Sequence, residues 1–395
     1  MERNARHMIN VLHFVRKNTQ LKASFINNQI SHHINCNPSI VYREQRLNPF
    51  DGGFATFNLN EYNYLDLSHG EFNLEKLRYK TVKTLSGRQV NQILSFIKNQ
   101  KIAICHFHFG TDCGIFTPLI ERLPIPSVVS FYGYDCSSFP NRFLGYGKIY
   151  LKHRVFKHIT KVLAMSPDMK KDLMATGCMD DKIEIHYYGT DVHRFCQSEK
   201  QYPDKEMITI LNLCSLDPQK GQLFLLKSIK KIVEKGVTNF QLRIVGTGEV
   251  EEELRTYVRK QKLTGYVDFI GAIPYGGSEM LREYHEADIF VHPSVVAPNG
   301  DKEGIPGTIV EAMSAGLPVI STWHAGIPYI ITHNKSGILI KEHDVSSLAD
   351  ALQTLIQNSA MRKNIGQAGQ CYAMENLDLK QKEVELENIY QKLIR

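Results

Sequence analysis

A chain of 395 residues is too long for one compact core and suits two domains, and its 43% hydrophobic and 22% charged content excludes a disordered or fibrous protein. The formal charge of +6 is unevenly placed: residues 1–200 carry 26 Lys and Arg against 17 Asp and Glu, whereas residues 201–395 carry 21 against 24. A basic half suits an anionic surface or substrate, but with no basic recognition helix, zinc finger or aromatic RNA-binding motif beside it, nucleic acid is not the expected partner.

In chain order, residues 8–15 are an apolar run followed at once by Arg16 and Lys17, which predicts a buried first strand and not a cleaved leader. Residues 36–75 are polar and Asn-rich and give no assignable element. Helices are predicted over 81–99 and 143–159, and strands over 102–106, 127–131 and 162–165. Ser, Gln, Pro and charges cluster at 196–205 and mark a linker. Beyond it the alternation is clear. Strands fit 207–214, 240–245, 267–270, 288–292, 318–321 and 337–340, and helices fit 222–235, 250–262, 278–287 and 308–315. The last helix, 379–395, is strongly charged, with Leu386, Ile389, Tyr390 and Leu393 on one side. Strand–helix alternation calls for parallel sheets covered on both faces, with ligands beyond the carboxyl ends of the strands. Two such sheets facing each other would enclose the site in a cleft. The apolar runs, such as 208–213, are far short of the ~20 residues of a spanning helix. Eight scattered cysteines form no Cys-x-x-Cys pair and no zinc spacing, so reduced thiols in a cytoplasmic protein are expected.

The segment 301–318, DKEGIPGTIVEAMSAGLP, carries the sharpest chemistry. Glu303 falls in a loop. Gly304, Ile305, Pro306 and Gly307 form a turn leading into a helix at Thr308, whose free N–H groups and dipole favour a diphosphate. Glu311 is expected in the first helical turn, held ionised by that dipole and able to accept from two ribose hydroxyls, while Glu303 serves sugar hydroxyls. An ordinary polar helix start explains the same pattern.

This segment resembles the paired-glutamate signature of family 4 of the glycosyltransferases, which have the GT-B fold. The resemblance continues in AMSAGLPVIST, and in ADIFVHPS at 287–294, VGTGE at 245–249 and SLDPQKG at 215–221. Earlier it includes HYYGTDVHRF at 186–195 and LAMSPDMKKDL at 163–173. LKASFINNQI at 21–30, HFHFGTD at 106–112 and SFYGYDCS at 130–137 are similar to the exopolysaccharide branch. The resemblance implies an α/β chain of two facing, Rossmann-like doubly wound domains with a cleft between them. Residues 1–198 would bind the acceptor, joined by 378–395 as a crossover helix, and residues 205–377 would bind the donor. It implies a retaining hexosyltransferase using a nucleotide diphosphate sugar, UDP before GDP, without metal or other cofactor. Lys220, Gly246 and Ser215 would lie at the diphosphate, with Lys220 in contact with phosphate. The incoming hydroxyl would give its proton to the leaving diphosphate oxygen, the protein supplying position and charge. Two positions depart from the family: Ser215 where an arginine is usual, and Tyr132 where a histidine is usual.

The resemblance places Tyr132 and Asp135 on the acceptor side, and His106 is a candidate there from its position at a strand end. His106 and His108 bracket a strand end, and His108 is a candidate to face the acceptor. The basic run Arg142, Lys148, Lys152, Arg154, Lys157, Lys161, Lys170 and Lys171 is interleaved with Phe143, Tyr146, Tyr150 and Phe156. It is a solvated helix face or a docking surface for anionic lipid. Because exopolysaccharide acceptors of this family are lipid-linked glycans, docking at the inner face of the cytoplasmic membrane is the expectation. A nucleotide-sugar epimerase of the same fold and a non-catalytic partner in polysaccharide assembly are the alternatives. A nicotinamide dehydrogenase fits less well, since 245–249 lacks a complete Gly-x-Gly-x-x-Gly.

Overall fold

The computed structural model describes residues 8–46, 57–70 and 72–395. They form two compact units: one from the first part of the chain up to Gly189 together with Leu379–Arg395, the other Thr190–Asp378.

The first unit is built on seven parallel strands: β1 (Ile9–Lys17), β2 (Cys36–Glu44), β3 (Asn63–Asp66), β4 (Ile104–His108), β5 (Ser127–Ser130), β6 (Lys161–Ala164) and β7 (Ile183–Ile185). Their order is β3-β2-β1-β4-β5-β6-β7, so the winding reverses between β1 and β4. The central strands read as continuous apolar runs because helices cover both faces of a parallel sheet. The last helix, Leu379–Ile394, completes this unit. Its Leu386, Ile389 and Tyr390 pack with Val11, Ile104, Val128 and Leu163 in one buried cluster.

The second unit has six parallel strands: β8 (Ile208–Leu213), β9 (Phe240–Val245), β10 (Val267–Gly271), β11 (Ile289–His292), β12 (Val319–Thr322) and β13 (Ile338–Ile340). Their order is β10-β9-β8-β11-β12-β13, with the reversal between β8 and β11. The helix Gln222–Glu234 turns Leu225, Leu226, Ile229 and Ile232 into the core beside Ile210, Leu242 and Ile289.

Several expectations change. The helix expected over 81–99 is two helices, Asn73–Val82 and Gly87–Asn99. Lys83 closes the first in a left-handed conformation, and Ser86 caps the second through the N–H of Gln89. The unassigned stretch 36–75 holds β2, β3 and the start of that first helix; residues 47–56 and 71 lie outside the described residues. The division between units falls at Gly189 and Thr190, not within 196–205. Phe195, inside the last segment assigned by sequence to the first domain, is fully buried against Tyr284 of the second unit. The helix expected over 143–159 continues from Arg142–Leu151 into a π turn, Lys152–Phe156. The cysteines are free, and all but Cys196 and Cys371 are buried.

Candidate active site

In doubly wound sheets ligands gather where the strand order reverses. In the second unit that point lies between the loops after β8 and β11. The chain leaves β8, exposes Ser215, and enters a short 3-10 turn, Pro218–Lys220. Gly221 follows in the left-handed region at φ +70°, and a Cβ there would stand 2.0 Å from the carbonyl oxygen of Pro293. Only glycine lets this loop lie on the backbone after β11. A hydrogen bond from the Val295 N–H to the Gln219 carbonyl, 2.9 Å, ties the two loops together. Gly246 has the same kind of role: at φ +135°, its Cβ would meet the Cys214 carbonyl oxygen at 2.0 Å.

Across this junction the Lys220 ammonium forms an ion pair with the Glu303 carboxylate. Burial opposes the lysine's charge, but the facing Glu303 outweighs it and lifts the Lys220 pKa above its ordinary value. Glu303 is fixed in turn from its backbone, whose N–H donates to His324 Nε2 at 3.1 Å, while His324 Nδ1 lies 2.7 Å from Glu342. His292, at the end of β11, is fully buried, with Nδ1 3.4 Å from the Thr308 hydroxyl. Burial, then Lys220 and His324, push its pKa well below the usual histidine value. Gly304, Ile305 and Pro306 are buried, and Gly307 and Thr308 half-buried, at the start of the helix Gly307–Ser314. The first N–H groups of that helix have no carbonyl partner within it. A cavity of about 360 Å³ adjoins the same loops, lined by Pro218, Gly221, Val250, Leu254, Val295 and other residues.

Glu311 is placed differently from expectation. Since the helix begins at Gly307, Glu311 stands in its second turn and is buried. Its two oxygens accept from Tyr275 at 3.1 Å and Tyr284 at 2.7 Å. Burial, partly offset by these hydroxyls, pushes its pKa up to about 7. Desolvation therefore governs its ionisation, where the sequence suggested the helix dipole.

In the first unit, His106 and His108 both lie inside β4 on one face, fully buried, and do not bracket its end. His106 is an interior group: Nδ1 is 2.6 Å from the Tyr390 hydroxyl and Nε2 2.7 Å from Ser130. That corrects its acceptor-side placement. Asp135 is likewise turned inward and accepts from the backbone N–H groups of Gly110, Tyr132 and Gly133 at 2.8, 3.1 and 3.2 Å. Its carboxylate holds the turn after β5, and burial raises its pKa to about 6. Tyr132 is half-buried, and its hydroxyl lies 2.7 Å from His108 Nδ1. Sequence reasoning missed Tyr275 and Tyr284, which bond to Glu311, His324, which holds the Glu303 backbone, His292 beside Thr308, and His13, which sits across from His106 on β1. The alternation His-Phe-His sets two imidazoles on one face of β4, a signal the reading of a strand end passed over, and nothing local announces the third.

Among the described residues two groups bring potential metal ligands within reach of one another, His13–His106–His108 and His33–Cys36–Glu387. Cysteine spacing could reveal neither, since the first group has no cysteine and the second only Cys36.

The family model "Glycosyl transferases group 1" matches residues 195–371, the span holding Lys220, Glu303 and Glu311, and the model "Glycosyltransferase Family 4" matches residues 74–194. WcaL of Escherichia coli K12, a glycosyltransferase named for colanic acid biosynthesis, is 33% identical over 290 residues, 70% of this chain and 68% of its own length. The chain belongs to family 4 of the glycosyltransferases. The amylovoran biosynthesis glycosyltransferase AmsK of Erwinia amylovora is 34% identical to this transferase over 52% of the chain and 50% of AmsK. In architecture the transferase matches the crystal structure of Anabaena Alr3699/HepE in complex with UDP, at TM-score 0.76 and 15% identity over 98% of this chain and 100% of that one. It matches the apo lipopolysaccharide outer core galactosyltransferase WaaB at TM-score 0.70 and 17% identity over 98% and 100%. These likenesses establish the GT-B fold of the transferase.

Proposed function

We propose that this glycosyltransferase is a retaining enzyme of exopolysaccharide assembly, moving a hexose from a nucleotide diphosphate sugar, UDP before GDP, to a lipid-linked glycan. The observation that carries the reading is the Lys220–Glu303 pair at the β8/β11 reversal, beside the helix starting at Gly307. Lys220 and the N–H groups at Gly307 and Thr308 suit the charge that builds on a departing diphosphate. Glu303, already anchored through His324, suits the sugar hydroxyls, and the apolar cavity beside Val250 suits a nucleobase. Ser215 is exposed at the end of β8 and brings no charge, so Lys220 is the cation of this loop. The chemistry requires no metal.

The acceptor's lipid and the relatives named for extracellular polysaccharides favour action at the inner face of the cytoplasmic membrane. No helix of the described residues is long and apolar enough to cross a membrane. The basic run instead presents exposed Leu144, Tyr146 and Ile149 next to exposed Lys148, Lys152 and Lys157, a composition suited to shallow docking on anionic lipid. Arg154 is half-buried, with its guanidinium 5.5 Å from the centroid of the Tyr150 ring.

The test is thermal stabilisation by UDP-glucose, UDP-galactose, UDP-N-acetylglucosamine and GDP-mannose, followed by transfer assays with the best donor. Stabilisation by a UDP-sugar that Lys220→Ala removes is the expected result. No stabilisation by any of the four overturns the donor assignment, and an inverted anomer in the product overturns retention.

A further inference from the structure

The loop that carries Glu303 is held at two backbone points by the loop after β12. The Gly326 N–H donates to the Gly304 carbonyl at 3.2 Å, and the Glu303 N–H donates to His324 Nε2 at 3.1 Å. The approach is close: a Cβ at Gly326 would stand 2.6 Å from that carbonyl oxygen. The imidazole is set in turn by Glu342, two residues beyond the end of β13. His324 Nδ1 lies 2.7 Å from Glu342 Oε1, and the N–H of Val296, in the loop after β11, donates to Glu342 Oε2 at 2.8 Å. The His324 side chain is 0% exposed and that of Glu342 23%. One carboxylate therefore joins the loops that follow β11, β12 and β13.

The backbone fixes the hydrogens in these contacts. A peptide N–H only donates, so His324 Nε2 must present its lone pair to Glu303. The neutral ring then carries its hydrogen on Nδ1, which points at Glu342 Oε1, while Val296 takes the second carboxylate oxygen. The other tautomer would set one N–H against another at Glu303. Two donors thus converge on Glu342, and both of its oxygens are in use. A glutamine there would have one oxygen, so its amide N–H groups would face either the ring N–H or the Val296 N–H. The ring could not answer by moving its hydrogen to Nε2, because Glu303 occupies that side.

We propose that Glu342 is a positioning residue for recognition of the donor sugar: through His324 it holds the Glu303 peptide, and with it the carboxylate that meets the sugar. This rests on the glycosyltransferase reading above, in which Glu303 serves the sugar hydroxyls. A carboxylate carried on a loop is placed only as well as the peptide beneath it, and orientation is what such a group contributes to turnover. Without the carboxylate behind the ring, Glu303 could keep its ion pair with Lys220 and still lose its aim at the sugar. Val296 also lines the apolar cavity assigned to the nucleobase. Action on the base is therefore the competing role for Glu342, and nucleotide affinity tells the two apart.

The experiment has a ligand-free arm and a kinetic arm. In two-bond ¹H–¹⁵N spectra of the full chain labelled at histidine, with His324 assigned by its Gln variant, a neutral ring protonated at Nδ1 is expected. A cationic ring or a proton on Nε2 overturns the proposal. Hydrogen exchange of the Glu303 amide should quicken about tenfold in Glu342→Gln, and an unchanged rate overturns it. In transfer assays, Glu342→Gln should lower kcat about tenfold and blur discrimination between donor sugars, with the affinity for the bare nucleotide unchanged. Glu342→Asp, which keeps two acceptor oxygens, should recover part of that loss. His324→Gln, whose amide keeps an acceptor toward Glu303 and a donor toward Glu342, should exceed His324→Leu, which keeps neither. Glu303→Gln combined with Glu342→Gln should lose no more than Glu303→Gln alone, since Glu342 acts through Glu303. Losses that multiply overturn the proposal, as does a fall in nucleotide affinity as large as the fall in kcat/KM, which would assign Glu342 to the cavity. If Glu342→Gln does not fold, the two His324 variants carry the test. If the wild type transfers no sugar, the transferase reading fails, while the spectra and the exchange rate still decide how Glu303 is held.

Discussion

The two sheets reverse their winding in the same way, yet their reversal points differ in electrical character. At β8/β11 the polar groups are an ion pair, Lys220–Glu303, with side chains still 15% and 12% exposed. At β1/β4 they are ring nitrogens and a hydroxyl, buried except for Tyr132. A fixed cation suits a partner that gains charge during reaction, such as a departing diphosphate. Buried ring nitrogens and a hydroxyl suit an uncharged partner, where a permanent charge would add little selectivity. One topology thus supports two kinds of recognition, chosen by which side chains the strand ends carry.

The strongest way to break this contrast is to remove the cation. Lys220→Ala should lower turnover by about 10²- to 10³-fold, the usual effect of deleting a group aimed at transition-state charge. Ser215→Arg in the same background should recover part of it. Measured kcat values that are equally poor with and without the arginine would show that position 215 cannot share the charge.

Glu311 tests the same contrast through pH. Its carboxyl titrates near 7 in the folded protein against an ordinary 4.5. The folded state therefore binds the proton more tightly than the unfolded state, so its contribution to stability is full below pH 4.5 and is lost as pH rises through 7. The difference is of the order of 3 kcal/mol. Glu311→Gln should unfold at higher denaturant than wild type at pH 8, and the gap should close by pH 5; a gap independent of pH would contradict burial as the cause. Glu311→Ala should in addition weaken nucleotide binding by about 1.5–3 kcal/mol, read by titration calorimetry.

Glu303→Gln should act on the sugar. Turnover and discrimination between donor sugars should fall while the affinity for the bare nucleotide changes little. A change in nucleotide affinity without a kinetic defect would exchange the roles assigned to the two glutamates. The smallest effect is expected outside both sites: changing Lys148, Lys152 and Lys157 to Glu should reduce co-sedimentation with anionic vesicles at low salt, each lysine contributing roughly 1 kcal/mol near such a surface. Binding that ignores both the substitutions and the salt would return this run to an ordinary solvated face.

The second unit was legible because its groups come from short contiguous segments. Glu303 and Gly304–Thr308 follow one another, and Lys220 stands in a loop whose glycine the backbone requires. Even there, Glu311 was misread, because burial by Tyr275 and Tyr284 is a tertiary fact that helical position does not reveal. The first unit was less legible for the same reason on a larger scale. His13, His33, His108, Tyr132 and Glu383 come from two strands, two loops and the last helix, and only the winding of the sheet brings them into line. Asp135 was placed on the acceptor side by the family resemblance of its segment, whereas three backbone N–H groups already occupy its carboxylate.

The crossover helix also bears on the order in which the chain folds. The second unit is one unbroken stretch, Thr190–Asp378, and all its strands are present once that stretch has been synthesised. The first unit is made earlier but waits for Leu386, Ile389 and Tyr390 to cover Val11, Ile104, Val128 and Leu163. On the ribosome, where domains ordinarily mature from the N-terminus onward, this protein would complete its later half first. The apolar patch of Val11, Ile104, Val128 and Leu163 in its earlier half would lack this cover until translation reached the final helix.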